Sequence, residues 1–161
     1  MWWSTPPALA RRASCCARNA LRIVVIEMSP RLGGNGIPLL IQRSTDIDLV
    51  AMTVRYALGI ENTPPIAHQP YRRCGSWIFG NEVAGRLDAI ADDDTVKSQV
   101  PELFEYQLNY GQGDSIPPFI HSGNSLGYAL FDCSADSDYF ATIEKIRSAM
   151  QLEISPIIES L

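Results

Sequence analysis

The stretch Ile26-Glu27-Met28-Ser29-Pro30-Arg31-Leu32-Gly33-Gly34-Asn35-Gly36-Ile37-Pro38 decides how this chain is read. It begins inside Leu21–Met28, a segment that is β-branched and nearly continuously apolar, the pattern of a strand covered on both faces within a sheet. The Pro/Gly run that follows cannot prolong a strand, and its glycines allow positive φ and close approach of a ligand to the backbone. Working outward, the clearest helix pattern comes next. Thr45 is placed to cap it and Asp48 stands at capping-box spacing, while Ile47, Val50, Ala51, Val54 and Leu58 predict one apolar face before Gly59 stops it. Residues 62–70, with three prolines, predict an extended connector.

Beyond the connector, short strand-like runs are separated by Gly, Pro or Asp, at 76–79, 82–90, 103–108, 117–120 and 127–132. Together they predict an antiparallel sheet. A last helix is expected from about residue 136, with Phe140, Ile143, Ile146 and Met150 as its buried stripe. The expected fold class is α+β: a buried strand, loop and helix, followed by a small antiparallel sheet with a C-terminal helix. The expected organisation is a leader over 1–21, a first unit over 22–60 and a small α+β domain over 61–161. The glycine-rich runs 111–113 and 122–127 lack the Lys-Ser/Thr of a P-loop and read as turns between strands.

Composition narrows the function. The 161 residues are 46% hydrophobic and 19% charged, enough apolar material for a core. The net charge of −5 hides a split, because residues 1–26 hold four of the 13 basic residues and no acid, leaving nine basic residues against all 18 acids in the rest. A body at −9 argues against a nucleic-acid partner. No apolar run reaches the roughly 20 residues of a membrane span, so a cytoplasmic protein is expected. The arginine-rich leader lacks the uninterrupted apolar core of a secretory signal and reads as an organelle transit segment, as an accidental start joined to a truncated domain, or as a short helix or loose arm. The four cysteines, Cys15, Cys16, Cys74 and Cys133, lack zinc-site spacing and read as reduced thiols. The run Asp92-Asp93-Asp94 reads as a solvated turn rather than a metal site.

The stretch at 26–38 is the one that carries chemistry. Ligands of mixed sheets gather at strand ends, and Glu27 is a hard oxygen donor suited to Mg²⁺ at such an end. Ser29, two residues on, projects to the same side if the strand persists. Arg31 can hold phosphate or carboxylate with two parallel donors, and the amides of Gly33, Gly34 and Asn35 can line an anion nest. Metal, arginine and amide donors around one point are what phosphoryl transfer requires. The competing reading is a surface Glu–Arg pair of little consequence.

The run 24–40, VVIEMSPRLGGNGIPLL, followed by 44–59, STDIDLVAMTVRYALG, resembles the closing strand and next helix of the ATP-grasp ligase superfamily. That strand carries E-x-N-x-R, in which Glu and Asn hold Mg²⁺ on the nucleotide phosphates and Arg contacts phosphate or an acyl phosphate. The resemblance implies that Glu27 is the metal-holding acid and Arg31 the arginine, with Ser29 in place of Asn. Residues 45–49 resemble the family's T-G-x-D-L, with Asp46 where Gly is usual. The later sheet and helix are similar to the C-terminal domain of biotin-carboxylase-like members. The implied fold is the C-terminal portion of an ATP-grasp enzyme. The implied activity is Mg²⁺- and ATP-dependent joining of a small carboxylate to an amine through an acyl phosphate. The loop Leu32–Pro38 is the implied substrate contact.

The family's glycine loop, adenine-clamping lysines and hinge acid precede its closing strand, whereas the two lysines here, Lys97 and Lys145, lie after it. The expectation is therefore a ligase portion that is not active alone. The alternatives are a non-catalytic remnant or interaction domain, and one half of a split ligase whose partner chain supplies the nucleotide cradle.

Overall fold

The computed structural model describes residues 31–60, 71–134 and 138–157. The strand expected over 21–28, with Glu27 and Ser29, and the connector expected over 62–70 lie outside the described residues.

Proline lacks a backbone N–H and has a fixed φ, which suits the first turn of a helix. Pro38 occupies that place in a helix the sequence pattern did not reveal, α1 (Ile37–Thr45). Gly36 precedes it at φ +71°, and the Leu40 amide donates to the Gly36 carbonyl at 3.0 Å. The helix ends at Asp46, φ +61°, whose amide reaches the Gln42 carbonyl at 2.8 Å. Thr45 therefore closes α1 instead of capping the next helix, and its hydroxyl donates back to the Ile41 carbonyl at 2.7 Å. The true cap of α2 (Leu49–Ala57) is Asp48, whose carboxylate accepts from the Ala51 amide at 2.8 Å. Gly59, at φ +69°, ends α2 as expected.

The remaining described elements are β1 (Cys74–Phe79), β2 (Gly85–Ala89), α3 (Asp93–Gln99), β3 (Leu103–Leu108), β4 (Ser115–Ile116), a 3₁₀ turn at Ser122–Asn124, β5 (Gly127–Asp132), α4 (Asp138–Ala149) and β6 (Glu153–Pro156). The fold is α+β, but the described strands form two antiparallel sheets instead of one. In the first sheet β5 is central, pairing Cys74 with Asp132 and Phe79 with Gly127 on one side, and Leu108 with Gly127 on the other. In the second, β2 is central between β4 and β6.

Several expectations need correction. Residues 117–120 are not a strand: Pro117 and Pro118 offer no N–H to a ladder, so pairing stops at Ile116. The acid run 92–94 is a helix start and not a turn. Asp92 caps α3 by accepting from the Thr95 amide at 2.8 Å, while Asp93 and Asp94 fill a first turn that favours negative charge. Strand β6 carried no pattern strong enough to be anticipated.

The core draws on both sheets and two helices. Phe79, Leu87, Val96, Leu103, Tyr106, Ile116, Ala129 and Phe131 form it together with Ile143, Ile146, Ala149 and Met150 of α4 and its end. Phe140, expected in that stripe, is 71% exposed, and Thr142 is buried instead. Along β5, alternation sends Ala129 and Phe131 into this core and Tyr128 and Leu130 to the opposite face, where they are also buried.

Candidate functional site

The opposite face of β5 is where the glycine loop is anchored. A Cβ on Gly36 would stand 2.7 Å from both Leu130 Cδ1 and Tyr128 Cε2. Only a residue without a side chain lets the backbone lie that close, and the positive φ makes the same demand. Gly36 thus fixes the start of α1 against the first sheet. Tyr128 is held in turn by its hydroxyl, which donates to Gln107 Oε1 at 2.7 Å.

The far end of α1 is tied down separately. Arg43 donates Nε to Asp132 Oδ1 at 3.0 Å and Nη2 to Oδ2, a two-pronged pair at the end of β5. Its guanidinium also lies 5.4 Å from the centre of the Phe104 ring. The hydrogen bonds from Arg43 hold the Asp132 carboxyl below the usual carboxylate range, and those to Asp132 raise the Arg43 guanidinium. Ser44 and Arg72 then exchange two hydrogen bonds: the Ser44 hydroxyl donates to the Arg72 carbonyl at 2.8 Å and the Arg72 amide to the Ser44 carbonyl at 3.0 Å. Beside this cluster sits Cys74, whose thiol burial pushes up to about 11, with the neighbouring Asp132 charge adding to the effect.

Between these anchors and Arg31 runs the glycine turn. Gly33 and Gly34 are exposed, and Asn35 adopts φ +51° immediately before Gly36. A Cβ on Gly34 would meet nothing within 4 Å, so its backbone is open to an approaching group, whereas Gly33 is backed by Ile37. Among the described residues the Ile37 amide is already used, by the Gly34 carbonyl at 3.1 Å, and Pro38 has no amide to offer. Anion-binding capacity in this turn therefore rests on the amides at 33–35 rather than on the helix end itself. Arg31 is exposed.

The structure thus brings Gly33, Gly34 and Asn35 into one turn. Glu27 and Ser29 lie outside the described residues. Among the described residues no group of three His, Cys, Asp or Glu side chains could hold a metal ion. Sequence reasoning missed Gly36, Arg43 and Asp132, which hold the loop and its helix in place. Gly36 stands directly before an Ile-Pro helix start, a signal that was legible; the Arg43–Asp132 pairing spans 89 residues and was not.

No family model matches this chain. The uncharacterized protein y4rH of Sinorhizobium fredii (strain NBRC 101917 / NGR234) is 26% identical over 136 residues, 83% of this chain and 27% of that protein. Among solved structures, phosphoribosylglycinamide synthetase from Anaerococcus prevotii aligns with TM-score 0.62 and 18% identity over 81% of this chain and 33% of its own. L-amino acid ligase from Bacillus licheniformis aligns with TM-score 0.64 and 21% identity over 81% of this chain and 32% of its own. Over the aligned span the chain shares the fold of these two ATP-grasp enzymes. It spans about a third of the length of these solved structures.

Proposed function

We propose that residues 22–60 supply the metal- and phosphate-binding strand end of a cytoplasmic Mg²⁺- and ATP-dependent ligase. It joins a small carboxylate to an amine through an acyl phosphate, and further ATP-grasp polypeptide provides the nucleotide cradle. The fold likeness to two ligating enzymes over 81% of the chain is the observation that carries this reading. In it, Glu27 and Ser29 hold Mg²⁺, which offsets the charge of the nucleotide phosphates when bound. Arg31 presents its planar fork to a phosphate or acyl-phosphate oxygen. The amides of Gly33, Gly34 and Asn35 add neutral donors, and the open flank of Gly34 supports an approach to them. Gly36 and the Arg43–Asp132 pair keep that turn from drifting.

A second reading, an interaction domain without catalysis, is favoured by one specific observation: the apolar residues of α2 that face outward. Titration calorimetry with Mg·ATP separates the two. The ligase reading expects no measurable heat from this chain by itself. Once it is joined to the remaining two thirds of an ATP-grasp ligase, it expects binding that Glu27→Gln abolishes and Arg31→Ala weakens about tenfold or more, one lost charge-assisted contact being worth roughly 1.5–3 kcal/mol. Binding by the completed assembly that is indifferent to Glu27→Gln overturns it.

A further inference from the structure

The sequence pattern gives Ile47, Val50, Ala51, Val54 and Leu58 one apolar face. In the structure the half-buried residues of α2 are Leu49 and Met52, whereas Val50 is 47%, Val54 53% and Leu58 70% exposed. Neither α1 nor α2 has a buried residue. A nine-residue helix is too short to hold its own structure in water, so an apolar stripe along its outer side calls for a cover.

We propose that this stripe, Val50, Ala51, Val54, Ala57 and Leu58, is the pairing surface for a second copy of the chain, with α2 antiparallel to α2 about a two-fold axis. The inference goes beyond the ligase reading and does not rest on it. The area is of the right size. With Ile60, 46% exposed, the stripe offers roughly 400 Å² of apolar surface per copy. A standard interface of about 800 Å² a side that is about 57% apolar needs about 450 Å². The side chains are small, which permits helix axes 8–10 Å apart.

Charge is also complementary under a two-fold axis. The stripe itself is uncharged, and the one charged side chain within α2 is Arg55, on its flank near the C-terminal end. Asp48 marks the N-terminal end. When Val50 of one copy faces Val54 of the other, Arg55 of each copy comes beside Asp48 of the other. A closed isologous pair results, which consumes the patch on both copies.

Sedimentation velocity of the full chain between about 5 and 100 µM tests this, a range that brackets micromolar dissociation constants. The expected result is a dimer. Val54→Asp raises its dissociation constant at least about a hundredfold and Arg55→Glu about tenfold, with far-UV circular dichroism unchanged in both. Tyr56→Asp, at a residue 80% exposed but off the stripe, leaves the dimer intact. A monomer throughout that range overturns the proposal and hands the stripe to the remainder of an ATP-grasp fold. A dimer that survives Val54→Asp overturns it as well.

Discussion

Replacing Gly36 by Ala loads two separable costs onto one methyl group. The residue sits at φ +71°, where an L side chain costs about 1–2 kcal/mol. The added Cβ would stand 2.7 Å from Leu130 Cδ1 and Tyr128 Cε2. Both are side-chain ends on the central strand of the first sheet; Leu130 is fully buried and the Tyr128 hydroxyl is tied to Gln107, so they make room only by repacking that face. Such overpacking costs about 1–3 kcal/mol. Gly59 isolates the first cost, because it has φ +69° and nothing within 4 Å of its would-be Cβ. The difference between Gly36→Ala and Gly59→Ala is then the steric part alone. With a urea slope of about 2 kcal/mol/M, it places the Gly36→Ala unfolding midpoint roughly 0.5–1.5 M below that of Gly59→Ala. Should α1 come away from the sheet instead of straining it, the amides of Leu40–Thr45 lose protection against hydrogen exchange while those of β5 keep theirs. Equal midpoints together with equal exchange would refute the packing of the loop on Tyr128 and Leu130.

Two further outcomes follow from the cluster at the end of β5. Because Arg43 lowers the Asp132 carboxyl in the folded state, the pair stabilises the protein above the unfolded carboxylate value near 3.9 and stops doing so as pH falls through the lower folded value. Both partners are more than a third exposed, so the effect is held to about 1 kcal/mol or less. Asp132→Asn should therefore cost stability at pH 7 and little at pH 2 in urea titrations; an unchanged difference at the two pH values counts against the pair. The Cys74 thiol, pushed up to about 11, should be alkylated at pH 8 roughly two hundredfold more slowly than an unfolded thiol near 8.5. Peptide mass spectrometry at Cys74 reads that rate, and labelling as fast as in urea contradicts the buried placement.

What could be read in the sequence was what repeats locally. Strands 103–108 and 127–132 were legible to the residue because each is a short strand-like run bounded by turn formers on both sides. Residues Ile143, Ile146 and Met150 were legible because one helix face repeats every three to four residues. Helix α1 was hidden because Pro38 and three nearby glycines speak for a loop, while its nine residues bury nothing outright. Which side of α2 meets the protein was not legible: the helix is apolar on two sides, and periodicity alone does not say which of them is covered. In the site, the Pro/Gly run marked Gly33, Gly34 and Asn35 as a turn. The Arg43–Asp132 pairing and the packing of Gly36 on Tyr128 and Leu130 join residues about 90 apart, and no local pattern carries either contact.

The strand order also sets a timetable for folding. Among the described residues, β1 and β3 flank β5 in the first sheet, and each pairs with β5 alone. Cys74 must find Asp132, and Gly85 must find Pro156, so the cost of closing long loops falls due before most of either sheet is rewarded. During synthesis β1 and β3 emerge with their hydrogen-bonding edges open and stay so until residues 127–132 leave the ribosome. A nascent chain stalled before that point exposes two strands seeking a third, the state in which unwanted strand pairing with other chains is fastest.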